Sequence, residues 1–226
     1  MEDTIPLWIK LGYTGMVAVI LPVYAVRYGW RNYLWFSDIA LVGTATALWL
    51  ESALLASMMA IGVLIPELLW SVSFFGRLLF GIRASDLAGY MFDPEKPRYL
   101  RTLSLFHVVL PITLLWMVAR LGYDTRALVA QTVLAWIVLP VTYAVVRPHD
   151  ENINWIHGPG ERQKRLSPRT YLALLMLAFP VIVYLPSHFA LKAWFSAVRQ
   201  VKAGDEMHRA QQSLYRNCGK PLLTNQ

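Results

Sequence analysis

Six runs of about twenty mostly apolar residues recur along this chain, at residues 7–26, 33–50, 53–73, 102–121, 126–146 and 170–195. No motif limits the fold as strongly. A hydrocarbon core about 30 Å thick takes about 20 helical residues to cross, and helices close their own backbone hydrogen bonds where water is absent. The sequence therefore predicts an all-α, polytopic membrane protein. A six-transmembrane-helix bundle fills residues 1–197, and a polar C-terminal tail occupies 198–226. Hydrophobic residues make up 56% of the chain and charged residues only 15%, against about 25% charged in soluble domains. A soluble globular domain is excluded. No polar linker, repeat or low-complexity tract divides the runs, which points to one membrane domain.

The ends of the runs fit this reading. Trp8, Tyr28, Trp30, Tyr33, Trp35, Tyr123 and Trp194 stand near them, as aromatic belts do at membrane interfaces. The opening "MEDTIPLWIK" is acidic where a secretory signal is basic, so the first run is expected to stay as a helix. The connection after the third run begins "FFGRLLFGIR", and a short interfacial helix over 74–82 is expected there. The net charge is +7, but the cations cluster at run ends, as in "RYGWR" and "ERQKRLSPR", rather than in one stripe. That pattern suits loops facing anionic membrane lipid and excludes nucleic acid as a partner. Connections 1–2, 3–4 and 5–6 carry 12 of the 21 basic residues, and we term their side the loop side. The charge rule places it in the cytoplasm, although six further basic residues from Lys192 onward count against that orientation. The expected location is a bacterial inner membrane, with multiple passes. The sole cysteine, Cys218, allows no internal disulfide.

Ionisable residues inside apolar runs mark functional sites by default, because hydrocarbon penalises them. Asp38, beside Ser37, lies about 8–9 Å into the second run at the helical rise; His107 lies a similar distance into the fourth; Glu67 comes near the same depth from the other direction in the third. Above them runs "RPHDENINWIHGPGERQKR", with His149, Asp150, Glu151, Asn152, Asn154, Trp155 and His157. The matched depths predict a polar cleft opening to the loop side, with Asp38 in hydrogen-bond reach of His107 and "ENINW" folded over its mouth. The same groups also suit a purely architectural role, in which Asp38 pairs with His107, and Glu67 with Arg77, to fix helix packing. Several chemistries can be weighed. A bis-histidine haem would need His107 and His188 at one depth, but their positions put them at opposite ends of their runs. Zinc could draw on His107, His149, His157 and Asp38, yet no H-x₃-H or H-E-x-x-H spacing is present. No cofactor or metal is therefore expected. Acyl transfer could use Ser37 or Ser104 as nucleophile, His107 as base and Asp38 as its orienter, with Asn152, Asn154 or the Trp155 indole holding an oxyanion.

At these residues a resemblance enters. "WFSDIALVGTATALWL", "LSLFHVVLPITLLWMVARLGYD" and "ENINWIHG", across about residues 33–160, resemble in order and spacing a family of bacterial integral-membrane proteins. That family is related to the androgen-induced-gene lipid hydrolases and the ether-phospholipid acyltransferase. The resemblance implies an enzyme acting on fatty acyl esters. Ser37 then stands where the family has a nucleophilic Cys, Asp38 at its Asp and His107 at its His; a serine there needs stronger activation than a thiol. The expected function is lipid acyl-ester hydrolysis or acyl transfer. Ser37, Asp38 and His107 would be catalytic; Glu67, Asn152, Asn154 and Trp155 would bind a lipid or other amphiphilic substrate. The alternatives are a small transporter or solute- and proton-binding protein, or an accessory subunit of a membrane complex.

Overall fold

The structure, a computed structural model, describes residues 5–83, 87–147, 150–160, 162–197, 199, 200 and 207. All but these three positions of the expected polar tail lie outside the described residues, as does His149. The fold is all-α, with no strand among the described residues. Five helices are long and apolar enough to cross a membrane, and a sixth is shorter. They are α1 (Leu7–Tyr28), α2 (Phe36–Leu50), α3 (Ala53–Phe80), the short α4 (Arg98–Leu103) running into α5 (Phe106–Leu121), α6 (Ala127–Val145) and α7 (Pro168–Ala197). Large side chains such as Val72, Ile112, Val129, Val133 and Ile182 are exposed on helix faces. That surface suits lipid and not water. The chain is built as a multi-pass membrane protein.

α3 is the axis of the bundle. It packs against α2, α5 and α6 and buries more side chains than any other helix. Small residues allow the close approaches: a Cβ on Gly43 would meet Met59 Sδ at 2.4 Å, and one on Gly62 would meet Gln131 Nε2 at 2.5 Å. At 28 residues α3 exceeds a bilayer's needs, and it runs without a break to Phe80. The separate interfacial helix expected over 74–82 is instead this extension. It ends where Gly81 turns left-handed (φ 69°), its N–H reaching Arg77 O and that of Ile82 reaching Gly76 O.

Two local features depart from the sequence expectation. The second span does not begin at 33, because Gly29 (φ 80°) stops α1 and residues Trp30–Leu34 form a 3₁₀ turn. That leaves α2 only 15 residues, about 22 Å at the α-helical rise. In α7, residues Phe179–Tyr184 adopt a π-helix. Pro180 sits in it, and a missing N–H breaks the ordinary ladder at that point.

At the end of the bundle opposite the loop side, Lys10 of α1 is buried and pairs with Glu51 at the turn between α2 and α3 (Nζ–Oε1 2.9 Å). Glu51 also accepts the Ile5 N–H at 3.1 Å, and the Lys10 ammonium stands 5.9 Å over the Trp49 ring. Breaking such a pair from one side leaves the other charge uncompensated. Glu51→Gln is expected to lower the unfolding free energy by about 3 kcal/mol. Adding Lys10→Met should recover part of that loss, as read by equilibrium unfolding in mixed micelles. A strictly additive double variant would show that the pair is not coupled.

Candidate functional site

The loop-side site starts from a helix that lacks its own cap. Trp35 occupies the N-cap position of α2 and offers no side-chain hydrogen bond. Asn154, from the "ENINW" segment, supplies it from 118 residues away. Its Oδ1 accepts the Phe36 N–H at 3.1 Å, and its Nδ2 donates to Leu34 O at 2.7 Å. To reach there, Asn154 and Trp155 both take left-handed backbone, with φ of 52° and 56°. Such strain persists only where surrounding contacts hold it. Asn152 holds the loop itself: its Nδ2 donates to Gly158 O and Gly160 O, and its Oδ1 accepts the His157 N–H. The amides proposed from sequence as substrate or oxyanion donors are thus engaged with backbone. The Trp155 indole is partly exposed, while its carbonyl accepts the Tyr171 hydroxyl at 3.0 Å.

Asp38 is the third helical residue of α2, where the partial positive charge of the helix N-terminus favours a carboxylate. It is only 4% exposed, and its Oδ2 accepts from Asn32 Nδ2 at 3.0 Å. Its Oδ1 is buried without a hydrogen-bond partner among the described residues. Asn32 in turn lines an open cavity of about 350 Å³, with Tyr28, Arg31, Asp150 and Glu151 around its mouth. Arg31 and Asp150 form an ion pair across that mouth. Burial pushes the Glu151 carboxyl above its usual range, and Lys96 opposes the shift.

His107 does not bond Asp38. Its partner is Glu67 of α3, 2% exposed, with Nδ1 and Oε2 2.7 Å apart. The imidazole stacks on Trp70 (ring centroids 4.7 Å apart) and on Phe106 (4.1 Å). Its Nε2 has no hydrogen-bond partner among the described residues. With Glu67 ionised, Nδ1 carries a proton and donates it, which leaves Nε2 as the basic nitrogen. A 3₁₀ turn at Gly89–Phe92 covers this side: Trp70 packs with Ala88 and Met91, and Arg101 Nη1 ties down Met91 O at 3.1 Å. Two segments therefore cap the site, one over Asp38 and the other over His107. The sequence signal for the second was an apolar "LAGYMF" inside a charged connection.

The serines are arranged less simply. Ser104 donates to Leu100 O at 3.1 Å and bonds the Tyr24 hydroxyl at 3.0 Å, so its oxygen is engaged. Ser37 is half-buried, with no hydrogen bond to His107. Among the described residues, no three His, Cys, Asp or Glu side chains gather as a metal site. His157 donates from Nε2 to Val146 O at 3.2 Å. His188 receives a hydrogen bond on Nδ1 at 2.7 Å from Tyr123, whose hydroxyl burial pushes up to about 12 and so keeps protonated.

The half of the bundle away from the loops holds more polar groups than its charges suggested. Tyr13 OH stands beside Thr44 and Tyr184 OH beside Gln131, and these groups, like Ser187 Oγ, are buried with no partner at full hydrogen-bond distance among the described residues. Sequence reasoning missed them because hydroxyls and one amide leave hydropathy almost unchanged.

Comparison with known proteins returns no match to a family model, a curated protein or a solved structure.

The cap from Asn154 and the donor from Asn32 have separable costs. Asn154→Ala frees one helix N–H and one carbonyl, and is expected to destabilise by about 1–2 kcal/mol. Asn32→Ala leaves Asp38 without a side-chain donor and should cost about 1–3 kcal/mol. Equilibrium unfolding in mixed micelles tests both, and an Asn154→Ala protein as stable as the parent would refute the capping role.

Proposed function

We propose that this chain is a membrane-embedded lipid acyl-ester hydrolase or acyltransferase, residing in a bacterial inner membrane and drawing an amphiphilic substrate to its loop-side end. One observation carries the reading. A buried carboxylate bonds Nδ1 of a histidine whose Nε2 is free to work as a base. Glu67 replaces Asp38 as the orienting carboxylate, and it stabilises the imidazolium that forms as Nε2 takes a proton. The proton comes from Ser37, after movement of its side chain, or from a water. The oxygen so activated attacks the ester carbonyl, and the proton then passes from His107 to the departing alkoxide. Asn152 and Asn154 act here by holding the loop and the start of α2, and the exposed Trp155 indole contacts the amphiphile. The resemblance across residues 33–160 supports the same assignment.

A second reading has its own observation. The unpartnered polar atoms in the far half of the core, with Asp38 Oδ1 in the near half, suit a protein that passes a proton or small solute along the bundle. That reading needs no nucleophile. It requires that Asp38 matter more than His107.

Turnover of a fluorescent phospholipid ester by the purified full chain tests the choice. Glu67→Gln and His107→Gln are each expected to lower kcat by about 10²-fold or more. The double variant should lose little beyond either, because the two residues act as a unit. Asp38→Asn should cost less than about tenfold, since the charge it removes is not bonded to His107. Equal turnover in parent and His107→Gln would end the enzymatic reading.

A further inference from the structure

A second cavity, of about 770 Å³, lies between the end of α6 and the segment leading into α7. Its lining includes the basic His157, Arg162 and Lys164 together with Ile156, Leu166 and Tyr171. It stands apart from the Glu67–His107 pair and needs none of that site's chemistry. Its position follows from the helices that bound it: α6 ends at Val145 and α7 starts at Pro168, so the cavity sits where two spans leave the hydrocarbon.

The wall of this cavity is a structured turn. Gln163 receives the Arg165 and Leu166 N–H groups on its Oε1 (3.0 and 2.9 Å), donates from Nε2 to Leu166 O, and sends its own N–H to His157 O at 2.9 Å. That holds the flanking Arg162 and Lys164 over a fixed frame. Neither cation has a carboxylate partner among the described residues, whereas Lys10, Arg31 and Arg126 each have one. The His157 ring is fixed by its bond to Val146 O, and Tyr143 packs beside it with centroids 6.4 Å apart. Two cations without a carboxylate partner among the described residues, lining one cavity with apolar side chains where two spans leave the hydrocarbon, are complementary to a phosphate ester carrying acyl chains. The volume falls within the usual range of ligand pockets, about 300–1,000 Å³.

We propose that this cavity binds the headgroup of an anionic phospholipid, with Arg162 and Lys164 on the phosphate and Ile156 and Leu166 against the start of the acyl chains. The test is native mass spectrometry of the detergent-solubilised full chain titrated with phosphatidylglycerol, phosphatidylcholine and inorganic phosphate. Phosphatidylglycerol is expected to bind about 25-fold more tightly than phosphatidylcholine, at about fivefold for each of the two surface cations engaged. Arg162→Gln/Lys164→Gln should erase that preference. Arg162→Lys/Lys164→Arg should keep it, which separates lost charge from a damaged fold. Arg83→Gln/Arg98→Gln removes the same charge elsewhere on the loop side and should also keep it. Equal binding of the two lipids overturns the proposal. So does an equal loss in both neutralised variants, which would mean diffuse surface attraction. Displacement of the lipid by millimolar inorganic phosphate would make the cavity a free-anion site and overturn the lipid assignment.

Discussion

Hydrocarbon offers no hydrogen bonds, so an ionisable group or a backbone end that enters this bundle depends on partners inside the chain. That constraint explains why α3 sits at the centre. It carries Glu67, and only a helix packed on several others can surround a carboxylate. The imidazole of His107 comes from α5, and the aromatic faces of Trp70 and Phe106 close around it. The same constraint acts at the ends of the helices. α2 starts without a cap of its own, and the loop before α7 folds back so that Asn154 can supply one. At the other end, Lys10 and Glu51 neutralise one another and tie α1 to the turn after α2.

The two buried carboxylates near the loop side are accommodated differently. Glu67 has a partner that can carry a full positive charge. Asp38 has an amide donor and the first turn of α2, which together offer partial charges only. A carboxylate held by dipoles keeps capacity for another donor, and Asp38 Oδ1 has no hydrogen-bond partner among the described residues. Asn32 lies between that carboxyl and the mouth cavity. The geometry thus puts a carboxylate-bound imidazole at His107 and a buried acceptor at Asp38. They are neighbouring parts of one polar region rather than a single bonded triad.

The sequence made the helices legible because hydropathy integrates over about 20 residues and hardly depends on which face is buried. It made depth legible too: the rise per residue set Asp38, Glu67 and His107 at one level. Rotation about each axis was not legible. In a soluble helix the polar face marks the outside, but here the outward face meets lipid and is as apolar as the core, with Val72 and Ile112 outward and Leu64 and Leu110 inward. Depth alone could not separate Asp38 from Glu67; the sequence reading takes Asp38 as the partner of His107, and the azimuths give Glu67. The 3₁₀ turn at Trp30–Leu34 and the π segment at Phe179–Tyr184 escaped for another reason. Both depend on where a backbone ladder breaks, and Gly29 and Pro180 announce a break without fixing what replaces it.

The caps over the polar region are built unlike one another, and this bears on how a substrate would enter. The 87–92 turn is fixed by apolar packing on Trp70 and by Arg101, contacts that favour a closed state. The "ENINW" loop is fixed by side-chain amides on backbone atoms and carries two strained left-handed residues. Releasing Asn154 would relieve that strain while exposing one N–H and one carbonyl of the α2 start, which water at the interface can satisfy. Opening from the Asn154 side therefore costs less than lifting the 87–92 turn, which would expose apolar rings to water. The first turns of α7 beside that loop, Pro168–Ala178, bury no side chain in the bundle. On the acyl-ester reading proposed above, an amphiphile approaching along the membrane surface would meet Trp155, Tyr171 and the sparsely buried start of α7 first.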